Sequence, residues 1–287
     1  MTFDVSYREI FNTVILDIEK VNCGLEDLIP VKNSVYEELQ DFLVLPSKRI
    51  RSVMVFLYLR ACGIDITHDF VELMVVVELI HNASLIHDDV IDDDEKRRGN
   101  NSVNYDFGNR IAILSGDFLL SIVMKKLAAL KSFELFNIFA KTLERMCDGE
   151  IKQHLSLNKI STLEAYLEKS YLKTGSLFEA ALSAAMVIAG KHEYSNEISF
   201  ASNFGIAFQI RDDLANALQA ESKDLLGGVY TAPVIFSGST QINSEGIEKT
   251  KDLLNNYLVK AEECIADLAE NKYKSALVEL LELLKND

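Results

Sequence analysis

Residues 70–99 read FVELMVVVELIHNASLIHDDVIDDDEKRRG. The first two thirds repeat apolar residues at helical spacing. Leu73, Val76, Val77, Ile80, Ser84 and His87 fall on one side of a helix that the spacing predicts over Phe70–Asp94. The last third turns abruptly acidic: six of the eight residues from Asp88 to Glu95 are Asp or Glu, and Arg97 and Arg98 follow. Asp88 and Asp92 are four residues apart and so share a helical face. Carboxylates stacked this closely repel one another unless water or a cation lies between them. Oxygen donors in small number suit Mg²⁺, which keeps several waters and accepts substrate phosphates. A solvated helix end in an acidic protein is the competing reading of this segment alone.

The same helical spacing recurs outward from this stretch. Ala165–Ala189 carries Leu167, Leu172, Leu177, Ala181, Ala184 and Ala185, and Gly246–Lys285 carries Ile247, Leu254, Leu258, Ile265, Leu268, Leu277 and Leu281. Breakers stand between such segments at Pro30, Pro46, Gly63, Gly99, Gly190 and Gly227–Gly228. The only strand-like run, Val229–Phe236, is interrupted by Pro233. Just 13 Gly and 3 Pro in 287 residues argue against an all-β fold and against a disordered chain. The expectation is an all-α fold of about ten helices and essentially no sheet. Several helices are apolar nearly all round, as in the centre of a bundle. No linker or repeat divides the chain, so residues 1–287 read as a single domain.

Composition narrows the partners. The net charge of −15 argues against nucleic acid, which needs clustered Lys and Arg. It leaves room for small anions at a local basic site or a metal. It also makes contact with anionic lipid weak. Cys23, Cys62, Cys147 and Cys264 form no CxxC pair, which suggests reduced thiols and a cytoplasmic protein. The first residues, with Asp4, Arg8, Glu9 and Asp17, do not read as a signal peptide. No uninterrupted apolar run approaches the ~18 residues of a membrane span, so no integral membrane segment is expected.

A second acidic pair strengthens the cation reading. Phe208-Gln209-Ile210-Arg211-Asp212-Asp213-Leu214-Ala215-Asn216 again ends an apolar helical stretch, and Asp212 and Asn216 again lie one turn apart. By itself it also reads as a polar turn on a helix.

Taken together, these motifs resemble the all-trans polyprenyl diphosphate synthases, over most of the chain. The match rests on His81–Asp92 followed by Arg97-Arg98-Gly99 (a DDxxD motif, then RRG) and on Lys48-Arg49-Ile50-Arg51. Gly116-Asp117, Lys173-Thr174, Phe208-Gln209 with Asp212-Asp213, and Thr231-Ala232-Pro233 add to it in family order. The resemblance implies an isoprenoid-synthase-like helical bundle around a deep central cavity, with the two acidic motifs at its mouth. It implies that an allylic diphosphate is joined head to tail to isopentenyl diphosphate. Asp88, Asp92 and Asp212 would hold two or three Mg²⁺ ions on the allylic diphosphate. Arg97, Lys173, Thr174 and Gln209 would contact the allylic side. Lys48, Arg51, His81 and Arg98 would hold isopentenyl diphosphate, since guanidinium groups grip phosphate oxygens in pairs. The small Ala83 and Ser84, one helical turn before Asp88, resemble the long-chain synthases, in which the tail grows past this point. A homodimer is the family expectation, with a heteromer as the alternative.

Each of these residues also has a plainer reading. The basic run after Pro46 could be a solvated turn, His81 a satisfied core histidine, and Arg97-Arg98 a balance for the acidic run. Lys173-Thr174 carries no signal alone. The chain departs from the family pattern at Asn216, where a third Asp is usual, at Pro46-Ser47, where two glycines are usual, and in a short stretch before Thr231 that lacks the usual Gly-Lys. These departures motivate an alternative, a weakly active or non-catalytic subunit. A class I terpene cyclase fits less well, because Ala220 stands where its second motif needs Glu, with Glu221 one residue off.

Overall fold

A computed structural model of the chain describes residues 5–26, 28–30, 32–219 and 222–286. In chain order the helices are α1 (Val5–Asn12), α2 (Ile15–Leu25), α3 (Ser34–Val44), α4 (Ile50–Ala61), α5 (His68–Ile91), α6 (Val103–Phe107), α7 (Asn109–Ala129) and α8 (Phe133–Leu155). They continue as α9 (Leu163–Ser170), a π-helical turn (Tyr171–Gly175), α10 (Ser176–Ile188), α11 (Ser195–Ala217), α12 (Lys223–Leu226), α13 (Ala232–Ser237), α14 (Ser244–Cys264) and α15 (Lys272–Asn286). The chain is all-α as expected, and ten of these helices have eleven residues or more. The sheet content of the described residues is one hairpin, β1 (Lys96–Arg97) against β2 (Asn100–Asn101). Val229–Phe236 forms no strand: Pro233 lies in the first turn of α13, where its missing N–H costs nothing.

The chain packs as two compact units. One comprises Val14–Phe56 and Asp65–Phe136. Its axis is α5, buried along most of its length, with α7 and α2 packed on it. Gly24 permits the approach of α2, since a Cβ there would lie 2.7 Å from Val75 Cγ2. Gly116 does the same for α7, because a side chain there would collide with the His87 imidazole. By length and composition α5 could cross a membrane, but 72% of its apolar window is buried inside the protein. Glu72 and Glu78 divide that window, which is why it shows no unbroken apolar run. Glu78 is buried and takes Arg49 Nη1 at 3.0 Å and Ser52 Oγ at 2.7 Å. Arg49 also donates to Leu43 O at 2.9 Å and Asn22 Oδ1 at 3.2 Å. One buried ion pair thus ties α2, α3, α4 and α5 together.

The other unit comprises Met1–Thr13, Leu57–Ile64 and Asn137–Asp287. Here α11 is central, with α10, α14 and the π-turn against it. Phe178 meets Phe204 and Phe208 at ring distances of 5.3 and 5.6 Å, and Phe200 meets Tyr58 at 5.6 Å. Gly205 of α11 crosses the π-turn so closely that a Cβ would lie 2.6 Å from Gly175 Cα. Because backbone cannot give way as a flexible side chain does, Gly205→Ala is expected to cost about 2 kcal/mol or more. A urea-unfolding midpoint indistinguishable from the parent's would refute this contact.

The helical run read over Ala165–Ala189 is interrupted by the π-turn, and the run over Gly246–Lys285 breaks after Cys264. No Gly or Pro marks the second break. Asn271 starts α15 by accepting from the N–H groups of Tyr273 and Lys274, both at 3.0 Å. Lys274 Nζ then donates to the carbonyls of Ala266 and Leu268 at 2.8 and 2.9 Å.

Candidate active site

In the first unit the candidate residues gather at the C-terminal end of α5. Asp92 caps the helix, its N–H donating to Asp88 O at 2.8 Å, so the two carboxylates sit one turn apart as the spacing required. Asp88 is half-buried and Asp92 exposed. Asp89 is different: only 1% exposed, it accepts from Arg97 Nε at 2.7 Å and again from Arg97 Nη2. Arg97 also reaches Asp94 Oδ2 at 3.3 Å. Burial lowers the affinity of Arg97 for its proton, but the bond to Asp89 and the charges of Asp89, Asp94 and Asp88 raise it above the ordinary value. Of the adjacent pair, then, Asp88 is presented and Asp89 is a brace.

The RRG sequence forms the turn of the hairpin. Arg98 and Gly99 are its two loop residues, at φ 52° and 85°. Two successive left-handed residues make the tight turn that matches strand twist. The guanidinium of Arg98 lies 5.6 Å from the Phe42 ring centroid, and its Nη1 is buried with no hydrogen-bond partner among the described residues. Burial first, then the charges of Arg51, Arg98, Arg49 and Arg97, push the His81 imidazole well below its usual pKa. His81 thus stays uncharged near the guanidinium groups of Arg51, Arg98, Arg49 and Arg97. Arg51 is buried in the first turn of α4 and Lys48 half-buried just before it. Within this basic group Glu78 takes Arg49 and Asp89 takes Arg97. Ala83 is 1% exposed, while Ser84 is half-buried and donates to His81 O at 2.9 Å. Gly116-Asp117 frames His87, whose Nε2 lies 3.2 Å from Ile113 O and 3.7 Å from Asp117 Oδ1.

In the second unit the π-turn presents Lys173 and Thr174. A wide helical turn of this kind often marks a functional site. Gly149 of α8 lets the turn come close, since its Cβ would lie 2.8 Å from Lys173 N. Lys173 pairs with Glu150. Thr174 Oγ1 donates to Gln209 Oε1 at 2.5 Å, and Gln209 Nε2 donates to Asp213 Oδ1 at 2.7 Å. Tyr166 Oη donates to Asp213 Oδ2 at 2.6 Å. Asp212, by contrast, is half-exposed beside Arg211 Nη1 at 3.2 Å. The second motif repeats the pattern of the first: one acid presented, its neighbour buried as a brace. Burial pushes the Asp213 pKa up, against its bond from Tyr166 and the charge of Lys169.

Asn216 is committed elsewhere. Its Oδ1 accepts from Ser222 Oγ at 2.6 Å, and Ser222 in turn caps α12. The side-chain oxygen at the position where a third Asp is usual thus serves the loop. Ala220 and Glu221, on which the cyclase comparison turned, lie outside the described residues. Sequence reading missed Glu78, Glu150 and Tyr166. Glu78 had a signal, an acid flanked by apolar residues in the middle of a helix; Glu150 and Tyr166 had none.

Among the described residues no three carboxylate, imidazole or thiol groups converge to hold a metal ion by themselves. In each unit by itself the accessible carboxylates, Asp88 and Asp92 in the first and Asp212 in the second, are oxygen-only donors of the kind that suits a cation taking its other ligands from water and phosphate.

Comparison with known proteins accords with these features. The family model described as Polyprenyl synthetase matches residues 32–274. Solanesyl-diphosphate synthase 2, chloroplastic, of Oryza sativa subsp. japonica is 33% identical over 249 residues, covering 81% of this chain and 62% of that protein. The chain spans about three fifths of the length of the first curated relatives it matches. A prenyl transferase of Cyanidium caldarium is 31% identical, covering 92% of this chain and 93% of its own. Among solved structures, the polyprenyl synthase from Caulobacter crescentus CB15, complexed with calcium and isoprenyl diphosphate, superposes with a TM-score of 0.89. It is 25% identical and covers 98% of both chains.

Proposed function

Because the chain belongs to the polyprenyl synthetase family, we propose that it is a prenyltransferase that condenses an allylic diphosphate with isopentenyl diphosphate, head to tail, giving a long all-trans polyprenyl diphosphate. The observation that carries this reading is the group of guanidinium charges acting on His81, among them Arg98, whose buried Nη1 has no hydrogen-bond partner among the described residues. It suits a doubly charged phosphate group, and it lies at the end of the helix that bears Asp88 and Asp92. Lys48, Arg51, His81 and Arg98 hold isopentenyl diphosphate. Arg97, kept oriented by Asp89, and Lys173, Thr174 and Gln209 serve the allylic substrate. Asp88, Asp92 and Asp212 hold Mg²⁺ on its diphosphate. A Mg²⁺ ion held by these carboxylates would supply charge neutralisation of the diphosphate leaving group, the requirement for ionisation to an allylic cation.

The experiment is incubation of the purified protein alone with farnesyl diphosphate, isopentenyl diphosphate and Mg²⁺, with products sized by mass spectrometry. Products beyond twenty carbons support the reading; no condensation overturns it. A second reading is favoured by Asn216, whose oxygen is taken by Ser222: a weakly active subunit of a heteromeric synthase. Activity appearing only with a partner chain would select it.

The tail is proposed to grow along α5 toward its N-terminal end. Ala83→Tyr is then expected to shorten the main product by several isoprene units. Because Ala83 is buried, Ser84→Tyr on the half-buried neighbour is the companion variant, and unchanged product length in both would refute the floor argument.

The family match runs through both compact units, and we take them to work as one domain. Exposed Ile113, Leu114 and Met124 on α7, with Phe133 beyond it, support a homodimer. The four free thiols support a reducing, cytoplasmic setting.

A further inference from the structure

The buried chain Tyr166–Asp213–Gln209–Thr174 has a direction that the family match does not supply. Each Asp213 oxygen already accepts a bond, Oδ1 from Gln209 and Oδ2 from Tyr166. Gln209 thus turns its amide NH₂ toward Asp213 and its Oε1 toward Thr174. That oxygen takes the single hydroxyl proton of Thr174. Thr174 Oγ1 is left with lone pairs alone for whatever binds in front of it. An oxygen in this state cannot donate to a phosphate; it suits an electron-poor carbon or a cation. The origin of the chain is Tyr166, only 1% exposed. Burial and the charge of Asp213 keep its phenol protonated.

We propose that Tyr166 is a positioning residue: through Asp213 and Gln209 it fixes the Thr174 hydroxyl as an acceptor facing the allylic substrate. This rests on the prenyltransferase reading above. With the phenol gone, Asp213 Oδ2 loses its donor, the carboxylate is free to swing toward Lys169, and Gln209 can flip. Thr174 then spends part of its time with its proton pointing at the substrate. Substrate binding through the metal and basic groups is untouched, so the loss falls on turnover.

The test is steady-state kinetics of Tyr166→Phe, alone and combined with Thr174→Ala, well below the unfolding midpoint of each variant. Tyr166→Phe is expected to lower kcat roughly tenfold, the size of one hydrogen bond to a charged group, with KM for both diphosphates within about twofold. In the Thr174→Ala background the same change is expected to alter kcat less than about twofold, because the residue it acts through is gone. Asp213→Asn cuts the next link while keeping its shape, and supplies the same signature should Tyr166→Phe not fold. Equal losses in both backgrounds, or a change confined to KM, would overturn the role. A wild type that turns over beside an unimpaired Tyr166→Phe overturns this role alone. An inactive wild type overturns the prenyltransferase reading and this role with it.

Discussion

Asp88→Asn is expected to lower kcat by about 10³-fold, the scale of removing a preorganised group that stabilises developing charge, and at the same time to make the protein slightly more stable. The two effects have one origin. Asp88, Asp89 and Asp92 stand at the C-terminal end of α5, where the helix dipole is negative and repels carboxylates. Each exposed charge so placed costs about 0.3–1 kcal/mol. A fold selected for stability alone would not put acids there. Neutralising Asp88 relieves the repulsion while removing an oxygen charge from the proposed leaving-group site. Kinetics and a thermal midpoint on the same preparation check both halves. A variant that loses activity together with several degrees of midpoint would show that Asp88 serves packing. Asp89 is the internal contrast, since its carboxylate is the buried partner of Arg97, and its loss should lower stability.

Glu78→Ala is expected to be the most damaging single change to stability. It leaves the Arg49 guanidinium and the Ser52 hydroxyl without their acceptor in the interior of α5. Removing one partner of a buried pair typically costs about 3–5 kcal/mol, a large part of the roughly 5–15 kcal/mol that holds most proteins folded. The urea midpoint reads this directly, and a shift equivalent to under about 1 kcal/mol would refute the pairing. The double variant Glu78→Met with Arg49→Met should regain much of the loss, because apolar replacement of a whole buried pair is often neutral. The catalytic consequence is indirect: Arg49 is one of the charges that keep His81 neutral.

Particular residues show what the chain discloses about itself. The periodicity around Leu73 and Ile80 revealed α5, and the acids that follow revealed its special end, because both signals are local. The choice of Asp88 and Asp212 over their neighbours was legible only through motif order; their differing burial is a tertiary fact. The break between α14 and α15 was missed because no Gly or Pro marks it, and Asn271 as an N-cap is a weak signal among many asparagines. The π-turn was invisible, since Tyr171–Gly175 fits a regular helix equally well by composition. What widens it is packing against other helices, and Gly149 and Gly205 matter there for side chains they do not have. Asn216 looked like a weakened metal ligand, and only Ser222 shows where its oxygen goes.

The two-residue reversal at Arg98-Gly99 carries one more implication. Arg97 and Arg98 are neighbours in the chain, yet one clasps carboxylates and the other leans on an aromatic ring. The division of labour is set by position, because Arg97 ends the strand and Arg98 opens a two-residue turn with no slack. Adding or deleting a single amino acid here would exchange the two outlooks. Evolution can therefore trade letters in this segment with some freedom, but its length is frozen.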